Sequence, residues 1–342
     1  MTFEVAVVIP ARNEAAAIGG CLTALARQTI GAAALEVIVV AAGEDDTAAA
    51  AERAARAAGF GRFEVVRLDR GNKNVALRTG CARAVAPTVI LLDADTELAA
   101  DAVAELARAV RDAPARAVHG AATPRYDTWV SRYWELSRQL VKDLRFDGTL
   151  SGEVIALRRE TLERSGLAAL FPERTGAKDD LALGLALRAR GCAIGYVATA
   201  HATTLVPWTL GVLATTMLRS RRAAMRLAPL ADATAQAAWS LALVGAVPAA
   251  VVTWRWSPAL ALALLAPLAL HAAMLERRVA ALRHLGLGAH RRELPTFVLL
   301  DVLGRAIKLW AFAERLVGRD ARRAYRGGRP EELRARRVRG LV

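Results

Sequence analysis

The run Val89-Ile90-Leu91-Leu92 ends abruptly in Asp93-Ala94-Asp95-Thr96-Glu97, so that an uncharged, branched segment delivers two carboxylates one residue apart. Four consecutive apolar residues suit a strand covered on both faces, and open α/β sheets gather ligands beyond the carboxyl ends of such strands. Hard oxygen donors at that edge favour Mg2+ or Mn2+, ions that commonly meet an enzyme together with substrate phosphates. The competing reading is that the two acids simply cap a helix beginning near Leu98.

The preceding chain repeats one pattern. Glu4 to Pro10, Leu35 to Val40 and Phe63 to Leu68 are apolar runs of strand length. Each leads through a polar loop into a helical pattern, at Ala15 to Gln28, Ala48 to Ala58 and Val75 to Val85. Strands alternating with helices predict an α/β fold with a mostly parallel central sheet. Beyond the acids, Leu98 to Val110 reads as a helix, Ala115 to Ala122 as a strand, and Ala193 to Ala200 as a strand ending before His201. The aromatic segment Trp129 to Leu136 suits either the lining of an acceptor cleft or a helix packed in a core.

Four ordered segments carry a resemblance. Val7-Val8-Ile9-Pro10-Ala11-Arg12-Asn13-Glu14, the loop after Val40, Gly71-Asn72-Lys73-Asn74-Val75-Ala76-Leu77, and Asp93-Ala94-Asp95 together resemble the nucleotide-sugar half of family 2 glycosyltransferases of the GT-A fold, over roughly the first two hundred residues. The resemblance implies that Asp93 and Asp95 hold a divalent ion against the donor diphosphate and that the Pro10 to Glu14 loop, with Arg12, cradles the nucleoside. Lys73 joins this donor-binding set. The family usually has acids directly after its second strand, one of them reading the base. Here Ala41-Ala42 stand there and the acids follow at Glu44, Asp45 and Asp46, where they serve equally well as negative charge at a helix N-terminus.

Leu150-Ser151-Gly152-Glu153 through Arg159 resembles the short strand beneath the acceptor, placing Ser151 and Gly152 beside it. Thr175 to Leu183 resembles the Glu-Asp motif of the acceptor helix, with Asp179 in the place of the usual Glu and Asp180 in that of the catalytic base. A helix cap explains Asp179 as well. A single base with direct attack predicts inversion at the anomeric carbon. His201 is either a further metal or phosphate ligand or a structural residue.

From Pro207 the composition shifts. Trp208 to Leu227 is an apolar helical pattern carrying Arg219, Arg221, Arg222 and Arg226, suited to an anionic bilayer surface, and Arg219, Arg221 and Arg222 are candidates for binding an acceptor or its phosphate. Ala233 to Trp254 and Trp256 to Leu275 are uncharged and each long enough, at about 1.5 Å per residue, for the ~30 Å hydrocarbon core. They predict a transmembrane hairpin with basic flanks, hence both ends, facing the cytoplasm. Leu294 to Val317 carries Asp301, Arg305, Lys308 and Arg315 near helical spacing, which favours an interfacial helix over a third span. The basic tail from Arg319 reads as a mobile segment or a weak membrane contact.

A membrane also accounts for the formal charge of +14, because aromatics are only 5% and no basic stretch interleaves them as a nucleic-acid surface requires. Cys21, Cys81 and Cys192 lack metal-ligand spacing and read as reduced core residues in a cytosolic compartment. The N-terminus has no signal-peptide pattern.

The expected organisation is therefore a GT-A α/β domain over 1–205, an interfacial helix over 206–231, a transmembrane hairpin over 232–275, and a basic cytosolic segment over 276–342 containing the helix 294–317. The expected activity is transfer of a sugar from a UDP- or GDP-linked donor to a lipid at the cytosolic face of the inner membrane. Two alternatives stand beside it. A processive polysaccharide synthase would carry Gln-x-x-Arg-Trp where this chain has Thr215 to Arg222, and a donor-binding scaffold would not need both Asp95 and Asp180.

Overall fold

The computed structural model describes residues 3–113, 116–143, 148–173, 179–284 and 291–317. These form two compact units. The first comprises Met1–Tyr126, Val141–Thr175 and Asp179–Val206, and the second Asp127–Leu140, Gly176–Lys178 and Pro207–Val342, in each case as far as the chain is described. Residues 127–140, inside the span expected as the catalytic domain, thus pack with the helical unit.

In the first unit the elements run β1 (Val5–Arg12), α1 (Ile18–Ala26), β2 (Leu35–Ala42), α2 (Thr47–Ala55), β3 (Arg62–Leu68), α3 (Lys73–Cys81), β4 (Thr88–Leu92), β5 (Glu97–Leu98), α4 (Ala102–Asp112) and β6 (Arg116–Pro124). After α5 (Trp129–Asp143) come β7 (Val154–Arg158), α6 (Arg159–Ser165), α7 (Leu167–Leu170), α8 (Asp179–Arg188) and β8 (Ala193–Thr204). The sheet order is β3-β2-β1-β4-β7-β6-β8-β5. The block β3-β2-β1-β4 is parallel, β7 runs against both β4 and β6, and β8 returns parallel to β6.

The apolar runs are continuous because the sheet is covered twice. Val5, Val7 and Ile9 pack with Leu22 and Leu25 of α1 and Leu106 of α4, while Ala6 and Val8 pack with Leu77 of α3 and with Leu183 and Leu187 of α8. Neither face can carry polar residues, so the period-2 alternation of a one-sided strand is erased. Full burial of a side chain such as Ile9 contributes about 1.5–3 kcal/mol.

Two sequence expectations change here. Leu98 does not open a helix: it pairs with Ala202 in the two-residue strand β5, and α4 begins at Ala102 behind Asp101. The Asp-x-Asp segment therefore caps nothing. Similarly, His201 does not lie beyond its strand, because β8 continues to Thr204, paired with β6 past an irregularity between Gly120 and Ala121.

The helical unit contains α5, α9 (Leu210–Leu227), α10 (Leu230–Thr253), α11 (Pro258–Leu264), α12 (Ala266–His284) and α13 (Leu294–Leu316). Leu230–Thr253 and Pro258–Ala280 are long and apolar enough to cross a membrane, by length and composition. Between them Ser257 caps α11, its hydroxyl accepting from Leu260 N at 3.2 Å. A break at Leu265 precedes Pro267, which has no N–H to continue the helical ladder. Large apolar side chains stand uncovered here, Val251 of α10 at 68% and Trp256 of the intervening turn at 77% exposure.

Several charges of α9 and α13 lie in contacts between helices. Arg221 lies 3.5 Å from Asp301, Arg222 bonds Glu314 at 2.9 Å and stacks over Trp310, and Lys308 bonds Gln236 at 2.8 Å. These groups turn toward neighbouring helices, whereas Leu299, Leu303 and Trp310 of α13 are exposed. Charges packed between helices need partners, and at helical spacing each finds one across the contact. The tail from Arg319 lies outside the described residues.

Candidate active site

The C-terminal ends of β1 and β4 are neighbours in the parallel block, and the loops that leave them build the site. After β1, Asn13 adopts φ 53° and its Oδ1 accepts from Glu44 N at 3.0 Å. Gly43, at φ 107°, is required for that approach, since a Cβ there would stand 2.0 Å from Asn13 Oδ1. Glu14 N donates to Thr47 Oγ1 at 2.7 Å and Ala15 N to Asp45 Oδ2 at 3.0 Å, while Asp45 Oδ1 accepts from Thr47 N at 3.1 Å. Asp45 thus ties the loops after β1 and β2 together at the start of α2. Asp46 stands exposed at the α2 N-cap position without a side-chain cap bond, and Glu44 is exposed too. Arg12 occupies the space left by Gly71, where a Cβ would lie 2.3 Å from its Cδ.

Helix α3 begins two residues earlier than its apolar pattern indicates. Asn72 Oδ1 caps it, accepting from Asn74 N at 3.0 Å and Val75 N at 3.2 Å. Asn72 and Asn74 also reach the carbonyls of Glu173 and Pro172, each at 2.8 Å, joining α3 to the chain before α8. Lys73, in the first turn, places Nζ 2.5 Å from Asp93 Oδ1.

Asp93 follows β4 directly. Its N–H donates to Glu153 O at 3.0 Å, and Thr96 N closes a turn onto Asp93 O at 3.0 Å with Ala94 and Asp95 buried inside. Opposite, Asp180 lies in the first turn of α8 with Oδ1 accepting from Leu181 N at 2.9 Å. Gly152 permits this proximity: a Cβ there would lie 3.3 Å from that of Asp180. Ser151 donates to Glu153.

One pocket collects Pro10, Lys73, Asp93, Gly152, Asp179 and Asp180 over a floor of Leu77, Leu91, Ile155, Phe171 and Leu183. Burial pushes the Asp93 carboxyl up to about 6; Lys73 opposes the rise, and Asp95 and Glu153 add to it. Burial alone would lower the Lys73 ammonium, but Asp93, then Asp179 and Asp180, hold it above its usual value. Around Lys73 the pocket gathers three carboxylates, those of Asp93, Asp179 and Asp180. Among the described residues no group of three or more His, Cys, Asp and Glu forms a closed metal cage. Two carboxylates with an anionic substrate and water nevertheless fit the hard-ion pattern of Mg2+ or Mn2+, which takes few protein ligands.

Other sequence candidates lie elsewhere. His201 is exposed and lines a separate depression with Arg27, Glu97 and Thr203. Arg219, Arg221 and Arg222 belong to α9 of the helical unit. Residues 174–178, part of the Thr175 to Leu183 motif, lie outside the described residues. The contact of Glu153 with the Asp93 backbone was not legible in the sequence. Only Asn72, as an N-cap residue before α3, offered a sequence signal for its neighbourhood.

No curated protein matches the chain. Among solved structures, mannosyltransferase PcManGT from Pyrobaculum calidifontis, in complex with GDP-Man and Mn2+, is similar at 22% identity and TM-score 0.59, over 94% of this chain and 89% of that one. TarS of S. aureus is similar at 15% identity and TM-score 0.47, over 69% of this chain, which spans only 42% of the TarS chain. The family model described as glycosyl transferase family 2 matches residues 6–164, which contain the strand β4 and the Asp93 turn. This segment is that of a family 2 glycosyltransferase, on the α/β fold described above.

Proposed function

We propose that the protein transfers a sugar from a UDP- or GDP-linked donor to a lipid at the cytosolic face of the inner membrane, with inversion. The single observation that carries this reading is the convergence of Asp93, Lys73 and Asp180 on one pocket at the carboxyl edge of β1 and β4. Asp180, in the first turn of α8, takes the proton of the acceptor hydroxyl. Lys73 presents a protonated ammonium where the donor's diphosphate charge would lie. Asp93 and Asp95 would hold Mg2+ or Mn2+. When bound, that ion supplies electrostatic stabilisation of the departing nucleoside diphosphate. One base with no second carboxylate acting as nucleophile corresponds to direct displacement, hence inversion.

Anchoring rests on the uncovered apolar helices Leu230–Thr253 and Pro258–Ala280. A lipid acceptor follows from a site fused to such helices, and the lack of a Gln-x-x-Arg-Trp segment within Thr215 to Arg222 favours addition of one or a few sugars over polymer growth. The full-length protein in lipid vesicles, given GDP-mannose and a panel of UDP-sugars with Mn2+ or Mg2+, should release nucleoside diphosphate and yield a lipid heavier by one or few hexoses in mass spectrometry. Release without a lipid product removes the acceptor; a long saccharide ladder free of lipid establishes the processive alternative. A Cys placed at Ser257 should react with an impermeant reagent outside intact cells, and labelling instead at Arg329 overturns the orientation.

A further inference from the structure

The acids of the Asp93–Asp95 turn are held from behind by groups that touch neither the pocket nor, on this reading, the substrate. Arg125, just past β6, donates from Nη2 to Glu97 Oε1 at 2.7 Å and to the backbone carbonyl of Asp95 at 3.4 Å. Its own N–H donates to Thr204 O at 2.9 Å, which fixes the base of the arginine on the end of β8. Thr96, fully buried, bonds Thr204 hydroxyl to hydroxyl at 3.0 Å. Glu97 pairs with Thr203 in the sheet, and its carboxylate occupies the space above Gly20 of α1, where a Cβ would stand 2.3 Å from Oε1. Below the turn, the buried thiol of Cys21 has its Sγ 4.0 Å from Asp93 O, and that thiol feels Asp95, Glu97 and Asp93 on one side and Arg125 on the other. The four charges therefore surround one small volume.

We propose that Arg125 and Glu97, with Gly20 making room for them, are positioning residues that aim the Asp93 and Asp95 carboxylates for a divalent ion. The inference rests on the reading that these two acids hold that ion. The turn is closed by the backbone bond from Thr96 N to Asp93 O, and a rotation of the Asp95 peptide would redirect its carboxylate. The Arg125 guanidinium opposes this because its Nη2 holds the Asp95 carbonyl and the Glu97 carboxylate together, at the end of a long side chain whose base is fixed on β8. Groups behind metal ligands typically change metal affinity 10- to 100-fold.

Charge and positioning predict opposite signs, which makes the proposal testable. Removing a cation close to a metal site should, by Coulomb's law alone, tighten Mn2+ binding. Positioning predicts that Arg125→Ala weakens it. The experiment titrates the full-length protein in detergent with Mn2+ alone, reading free Mn2+ by electron paramagnetic resonance and folding by circular dichroism. Arg125→Ala should bind Mn2+ about 10-fold or more weaker, with Arg125→Lys between it and the parent. Gly20→Ala changes no charge and favours its helix, yet displaces Glu97; it should weaken Mn2+ binding by a smaller factor. Unchanged or tighter Mn2+ binding by folded Arg125→Ala overturns the proposal. Should that variant not fold, unchanged affinity in both Arg125→Lys and Gly20→Ala overturns it equally. Asp95→Asn is the control: if it leaves Mn2+ affinity intact, the metal reading itself fails, independently of Arg125.

Discussion

In the sheet unit Asp93, Asp179 and Asp180 share the neighbourhood of the Lys73 ammonium and Asp95 and Glu153 add their charge beside Asp93, whereas in the helical unit Asp301, Glu314 and Glu293 each meet basic groups. Asp301 meets His271 at 2.7 Å, Arg305 at 3.4 Å and Arg221 at 3.5 Å, Glu314 meets Arg222, and Glu293 meets Arg132. Burial alone would raise the Asp301 carboxyl, but the His271 bond and the two guanidinium groups hold it well below the usual carboxylate range. Asp93 is pushed the other way. An acid left under-compensated at a sheet edge is poised for an incoming cation; one surrounded by cations between helices serves packing.

The widest break in this contrast should come from Asp180→Asn, which keeps the volume but cannot accept a proton. Sugar transfer should fall about 10²- to 10⁴-fold while Mn2+ binding by calorimetry stays near the parent value. Next, Asp301→Ala strips the acid from Arg221, Arg305 and His271, and breaking a buried pair from one side costs about 3–5 kcal/mol. The thermal midpoint of the protein in detergent should drop accordingly, and an unchanged midpoint would mean that these side chains find water instead. In the sheet unit, Asp95→Asn should reduce stability little and Mn2+ affinity strongly, the inverse of the Asp301 result.

The pH dependence sharpens the same contrast. The Asp93 carboxyl rises from 3.8 to about 6, so its contribution to metal-free stability is present below 3.8 and lost as pH climbs through about 6. Mn2+ affinity should run oppositely, weakening below about pH 6 as the carboxylate is protonated, and Asp93→Asn should flatten both curves. The smallest effect belongs to the exposed pair of Arg67 and Glu52, 3.0 Å apart. Glu52→Gln should change stability by less than about 1 kcal/mol, which sets the baseline for the rest.

Legibility followed the range of the forces involved. Strands β1, β2 and β4 were readable because burial on two faces writes a continuous apolar run, and the Asp93 turn was readable because the run stops there. Leu98 was not, since a two-residue strand exists only through its pairing with Ala202, about a hundred residues on. The extension of β8 past His201 has the same origin in its pairing with β6. Lys73, Asp93 and Asp180 stand in recognisable motifs, but Arg125 and Glu97 look like ordinary surface charges until β6, β5 and α1 are assembled. In the helical unit the spacing of Asp301, Arg305 and Lys308 was visible; that it faces other helices depends on Arg221, His271 and Gln236, which no local pattern predicts.

Helix α5 lies in sequence between β6 and β7, yet Val130, Tyr133 and Leu136 are buried with Leu213, Met217, Leu275, Val279 and Phe297. A chain cut after Val206 would keep these side chains and lose everything that covers them. The C-terminal helices are therefore not a detachable part in the evolutionary or the biochemical sense. A soluble catalytic fragment would have to be made by redesigning the α5 surface, and a lineage that exchanged its C-terminal helices would have had to change α5 with them.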